Sequence, residues 1–241
     1  MTTHAFDLNI VDSSWLHCLQ RSLEKIDMSY LQQLSQDSSW LPGPAKIFSA
    51  FSLPLNQVNY VLFGESPYPR KESANGYAFW DAAVHDLWSD TGLSKPVNRA
   101  TSLRNILKML LIAEGLLSKK DCSQEAIARI NKQSLIKTSD ELFRNFIRHG
   151  FLLLNATPVL ADSPQKDARA FHPFMRELLE CLLEKRPQIR LILLGRIANT
   201  IDTLIPASHA HRLYAEHPYN LSFITNQEII DFFKPLHLLR L

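Results

Sequence analysis

Four polar residues each follow a short apolar run. Val58 to Phe63 leads through Gly64 to Glu65, Phe151 to Leu154 leads to Asn155, Arg190 to Leu194 leads through Gly195 to Arg196, and Leu213 to Ala215 leads through Glu216 to His217. A carboxylate, an amide, a guanidinium and an imidazole are groups that bind and convert polar ligands. After Glu65 the chain stiffens: in Ser66-Pro67-Tyr68-Pro69 each proline fixes φ and removes a backbone donor, so Tyr68 is held between them. In open α/β sheets ligands bind just outside the carboxyl ends of strands, which makes a carboxylate beside a held aromatic a candidate site.

The apolar runs read as buried strands, with the first over Val58 to Phe63. Between them lie amphipathic segments. Apolar residues three and four apart up to about Gln36 predict a helix or helix pair, broken at Trp40 to Pro44. Ile47 to Phe51 suggests a short helix, residues 81 to 96 a long loop, and Ser102 to Ala113 a helix capped by Thr101 or Ser102. Ser118 to Thr138 reads as a helical insertion, Asp140 to Arg148 as a helix ending near Gly150, and Phe171 to Lys185 and Gln227 to Phe233 as the last helices. Strands alternating with helices predict an α/β protein whose mainly parallel, four-stranded sheet is covered on both faces, with the strand-end residues gathered on one edge. A single domain over residues 1–241, with a helical extension over 1–39, accounts for the length.

The 241 residues carry 26 Lys and Arg against 24 Asp and Glu, a balance that neither requires nor excludes nucleic acid. Cys18, Cys122 and Cys181 show no disulfide or metal-ligand spacing and read as small core residues or free thiols. The chain has no glycine-rich phosphate loop, no apolar run long enough for a membrane and no leader pattern, so an intracellular protein is expected.

Several separated segments resemble the uracil-DNA glycosylases. Gly64-Glu-Ser-Pro-Tyr-Pro69 is similar to the family's Gly-Gln-Asp-Pro-Tyr-His, Phe79 stands at the spacing of its stacking phenylalanine, and Asn155 resembles the asparagine that reads uracil. His217-Pro-Tyr-Asn-Leu-Ser222 resembles the family's His-Pro-Ser-Pro-Leu-Ser loop, and weaker likeness extends to Ile47 to Phe51, Ser102 to Ile106 and Leu194-Gly195.

The resemblance implies a three-layer αβα sandwich and hydrolysis of the N-glycosidic bond of uracil flipped out of single- or double-stranded DNA, without metal or cofactor. It implies that Phe79 stacks on the base, that Asn155 matches its O4 and N3–H edge, that Tyr68 fills the space of a thymine methyl, and that Ser66 lines the pocket. His217 is implied to stabilise charge on uracil O2. Leu221 is implied as an apolar wedge, with Ser102, Arg196, Tyr219 and Ser222 as further DNA contacts. Two positions depart from the main pattern: the water-activating aspartate is Ser66 and the closing histidine is Pro69. Glu65 stands where an iron–sulfur branch of the superfamily carries its carboxylate, so Glu65 is expected to orient water; the three scattered cysteines exclude that branch's cluster. A catalytically silent member that binds DNA or a protein, and a glycosylase for another damaged base, are the alternatives.

Overall fold

The computed structural model describes residues 6–161 and 163–240; the first five residues of the expected N-terminal extension lie outside them. Helices α1 (Leu16–Leu23) and α2 (Met28–Gln36) precede β1 (Tyr60–Gly64). Then come β2 (Trp88–Ser89), β3 (Gly92–Leu93), α3 (Lys95–Arg99), α4 (Thr101–Ala113), α5 (Gln124–Ala128) and α6 (Ser139–Arg148). The chain continues through β4 (Phe151–Asn155), α7 (Pro164–Lys185), β5 (Arg190–Leu194), α8 (Ile197–Asp202), β6 (Arg212–Ala215) and α9 (Gln227–Phe233). The four-stranded sheet has the order β4-β1-β5-β6, and β1 runs parallel to both β4 and β5.

Two compact units are present. One reaches to Asp81 and resumes over Gly150–Leu213; the other comprises Ala82–His149 and the chain from Tyr214 onward. In the first unit β1 and β4 are almost wholly buried, as their continuous apolar runs require. Their register sets Gly64 beside Asn155. The same unit joins α1 to α7: Arg21 and Lys25 pair with the buried Glu177, and Cys18 is disulfide-bonded to Cys181, 163 residues away. This corrects the reading of both cysteines as small core residues or free thiols. Sequence spacing reveals local pairs, whereas this one exists only because two distant helices pack together. Cys122 is a free thiol.

In the second unit α6 opens with a reciprocal capping box between Thr138 and Glu141. Helix α4 begins at Thr101 after Ala100, with no side-chain cap, so the expected hydroxyl cap is absent. The expected helix over residues 118–138 reduces to α5. Asp121 and Asn131 accept nearby backbone N–H groups from Ser123 and Gln133, offering the chain turns in place of helix, and Gln124 accepts the N–H of Leu93. The loop expected over 81–96 contains the β2–β3 hairpin and the start of α3, which Ser94 caps. Two-residue strands are too short to show alternation.

Helix α7 starts at Pro164 behind a Ser163 cap, seven residues before the expected start at Phe171, and continues through Pro173. Its polar first turns are anchored by the buried Asp167, which accepts from the Tyr30 hydroxyl at 2.8 Å and the Ala161 N–H at 2.8 Å. Among the described residues no helix is long and apolar enough to cross a membrane.

Candidate active site

Beyond β1 and β4 the backbone pairing continues outside the strands. Ala156 N–H donates to Gly64 O and Thr157 N–H to Glu65 O, both at 2.9 Å. This fixes the Glu65-Ser66 turn against the segment after Asn155. The Glu65 side chain is exposed and Ser66 is half-buried.

Asn155 is 4% exposed, and among the described residues its side-chain amide makes no hydrogen bond. The amide therefore keeps its donors and its acceptor for a ligand at the end of β4. Gly64 makes the placement possible. A Cβ there would lie 2.6 Å from Asn155 Oδ1 and 2.9 Å from the Ala78 Cβ. Gly64→Ala is therefore expected to displace the amide, slowing base excision at least ten-fold and lowering stability by about 1–3 kcal/mol. Single-turnover rates with thermal melts check this; an unchanged rate would show that the amide needs no such room.

The loop bearing Phe79 is bound down at several points. Ala78 N–H donates to Leu153 O at 3.1 Å, and Arg70 pairs with the buried Asp81 at 3.2 Å, bracketing the excursion between them. At Gly76 an added Cβ would meet the Lys46 carbonyl, so this turn needs glycine. Phe79 itself adopts φ 63°, a strained conformation for a bulky residue that costs on the order of 1–3 kcal/mol. The Tyr68 hydroxyl donates to the Phe79 carbonyl at 3.2 Å. Burial, reinforced by the Asp81 carboxylate and opposed by Arg70, pushes the Tyr68 phenol far above its ordinary range, so it stays a neutral donor. The first unit thus brings together Glu65, Ser66, Tyr68, Phe79 and Asn155 at the carboxyl ends of β1 and β4.

In the second unit the chain leaving β6 forms a tight loop. His217 Nδ1 accepts the Tyr219 N–H at 3.1 Å, so a neutral imidazole carries its proton on Nε2. Asn105, fully buried on α4, donates to Pro218 O at 2.7 Å. Burial raises the Glu216 carboxyl, but hydrogen bonds from its own backbone and from Ser222 and Asn226 outweigh it and hold the group low. On this braced loop Tyr219 and Leu221 are 68% and 70% exposed.

Asn105 was not singled out from the sequence as a site residue, although a polar residue on the apolar face of α4 is the available signal. Asn105→Ala is expected to cost about 1–3 kcal/mol by leaving the Pro218 carbonyl unsatisfied, and to slow catalysis by loosening His217. Melting and single-turnover excision measured together test this. Wild-type values in both would remove Asn105 from the account.

The remaining predicted DNA contacts are dispersed. Arg196 is exposed at the N-cap of α8, and Ser102 is half-exposed in the first turn of α4. Arg104 and Arg212, two further arginines, spend their guanidinium groups internally: Arg104 on Asn98 O, and Arg212 on Asp202 and the Pro206 carbonyl. Among the described residues the one cluster with metal-ligand proximity is His17, Cys18 and Cys181, and the last two form the disulfide.

Comparison with known proteins bears directly on this arrangement. The family described as the Uracil DNA glycosylase superfamily matches residues 52–239. The crystal structure of wild-type UNG from Nitratifractor salsuginis is 41% identical, with a TM-score of 0.91, over 97% of this chain and 94% of that one. The chain belongs to the uracil-DNA glycosylase superfamily. The uracil-DNA glycosylase of Chlamydia abortus is 26% identical over 91% of this chain and 86% of its own length. The mimivirus uracil-DNA glycosylase structure, 15% identical with a TM-score of 0.61, shares the fold. The superfamily's α/β architecture, a central parallel sheet flanked by helices, is the one expected from the sequence.

Proposed function

We propose that this chain is a uracil-DNA glycosylase of base excision repair, hydrolysing the N-glycosidic bond of uracil flipped out of DNA. The observation that carries the reading is the Asn155 amide at the end of β4, which makes no hydrogen bond to a described residue. It offers one acceptor and two donors, enough to match the O4 and N3–H edge of uracil. Phe79, held in a strained backbone conformation, stacks on the ring; Tyr68 closes the space that a thymine methyl requires.

Bond cleavage leaves positive charge on the sugar and negative charge on the departing base. His217 donates through Nε2 to uracil O2, an oxyanion-type contribution. Glu65 stabilises the sugar cation and orients water, taking over from the carboxylate that Ser66 replaces. Leu221, with 70% of its surface exposed, fills the gap left by the extruded nucleotide, and Tyr219 beside it offers a face for stacking. Arg196, Ser102 and Ser222 contact the DNA backbone. The substrate is uracil-containing DNA, single- or double-stranded.

The experiment is a panel of oligonucleotides, single-stranded and duplex, carrying uracil, thymine or hypoxanthine at one position, with released base identified chromatographically. Release of uracil alone is expected. Release of another base in preference would reassign the substrate, and DNA retention without release of any base would identify a silent binder.

A further inference from the structure

Glu65 and Ser66 form one wall of a cavity of about 150 Å³ in the first unit. Thr157 after β4 lines it, with His172 and Met175 from α7 and Ile197 and Ile201 from α8. Among the described lining residues Glu65 and His172 are the ionisable ones, and no described residue hydrogen-bonds to the half-buried His172 imidazole. The volume is several times the roughly 10–15 Å³ that one water needs, and Glu65, Ser66, Thr157 and His172 provide polar partners. Tyr68, Phe79 and Asn155 do not line it, so the cavity meets Glu65 from a side other than the base pocket. While the departing base still covers one face of the sugar cation, water adds from the opposite face.

We infer that this cavity is the water side of the site, and that His172 accepts the proton of the hydrolytic water oriented by Glu65. The inference rests on the glycosylase reading. The C1′–N1 bond breaks first and its bonding pair leaves with uracil, which departs as an anion hydrogen-bonded by His217; the water oxygen then bonds to the C1′ of the sugar cation. The proton of the water passes to His172. An imidazole on the wall of the same cavity as the Glu65 carboxylate thus supplies the base that Ser66 lacks. Glu65, which follows β1, is the charged residue that lines the cavity with it; Arg169 and Arg176, three residues before and four after it on its own helix, are exposed, as is Arg196 at the start of α8.

The test is the single-turnover rate against pH for wild type, His172→Gln, Ala168→Leu and Asn155→Ala, with binding to an uncleavable uracil-DNA analogue and melting measured alongside. His172→Gln keeps hydrogen-bonding capacity but cannot titrate. It is expected to slow excision by about 10²-fold and to flatten the acid side of the profile, with analogue affinity unchanged. Ala168→Leu, which narrows the cavity, is expected to slow excision with the acid side retained. A His172→Gln rate within threefold of wild type with the acid side kept would overturn the inference. If that variant does not fold, an unimpaired Ala168→Leu overturns it instead. An active wild type slowed by Asn155→Ala but not by His172→Gln removes His172 alone, whereas an inactive wild type removes the glycosylase reading and this inference together.

Discussion

Asn155→Ala is expected to slow uracil excision by roughly 10²–10³-fold, the scale of losing one preorganised hydrogen-bonding group from a transition-state site. The side chain sits at the end of a fully buried strand, opposite Gly64, with its amide unsatisfied by described residues. Removing it takes away recognition of the base without touching the groups assigned to bond cleavage. Folded stability should change little, because the amide makes no hydrogen bond to a described residue that the substitution would break. Single-turnover kinetics and a melting curve on the same preparation check both halves. A variant that excises normally, or that fails by unfolding, would mean that Asn155 serves the sheet rather than the base.

Glu65→Gln is expected to slow the chemical step by about 10²–10⁴-fold while leaving DNA affinity within a few-fold of wild type. The substitution keeps size and hydrogen bonding and removes only the negative charge. The carboxylate is exposed at the end of β1, and its backbone carbonyl is tied to Thr157, so the change should not propagate into the fold. Rapid-quench excision with parallel fluorescence-anisotropy binding separates the two effects. Loss of binding with an unchanged rate in the bound complex would assign Glu65 to docking.

Much of the parallel core was legible because its strands are short apolar runs ended by polar residues or glycine. The limits of β5 and α9 coincide with those expected, and β4 extends by one residue to include Asn155. The site residues Glu65, Tyr68, Phe79 and Asn155 could be named because their types, order and spacing occur together, where any one alone reads as a turn or core residue. What was not legible depends on proximity created by folding. The need for glycine at position 64 comes from Asn155 and Ala78. The hold of Asn105 on the His217 loop spans 113 residues, and Tyr30 reaches Asp167 across 137. The Cys18–Cys181 bond and the cavity that Glu65 and His172 both line arise in the same way. Residues 118–138 failed for a different reason: helical propensity there is overridden by side chains that capture their own backbone.

The central claim is that a chain with serine at the usual aspartate position still hydrolyses the glycosidic bond through Glu65. Its most direct test is the time course of uracil release from a labelled single-stranded oligonucleotide, with protein in excess and a chelator present, for wild type and Glu65→Gln. The account predicts complete, metal-independent release by wild type and a strongly slowed course for the variant at equal DNA occupancy. Bound DNA with no release by wild type, or equal rates for the two proteins, would contradict it.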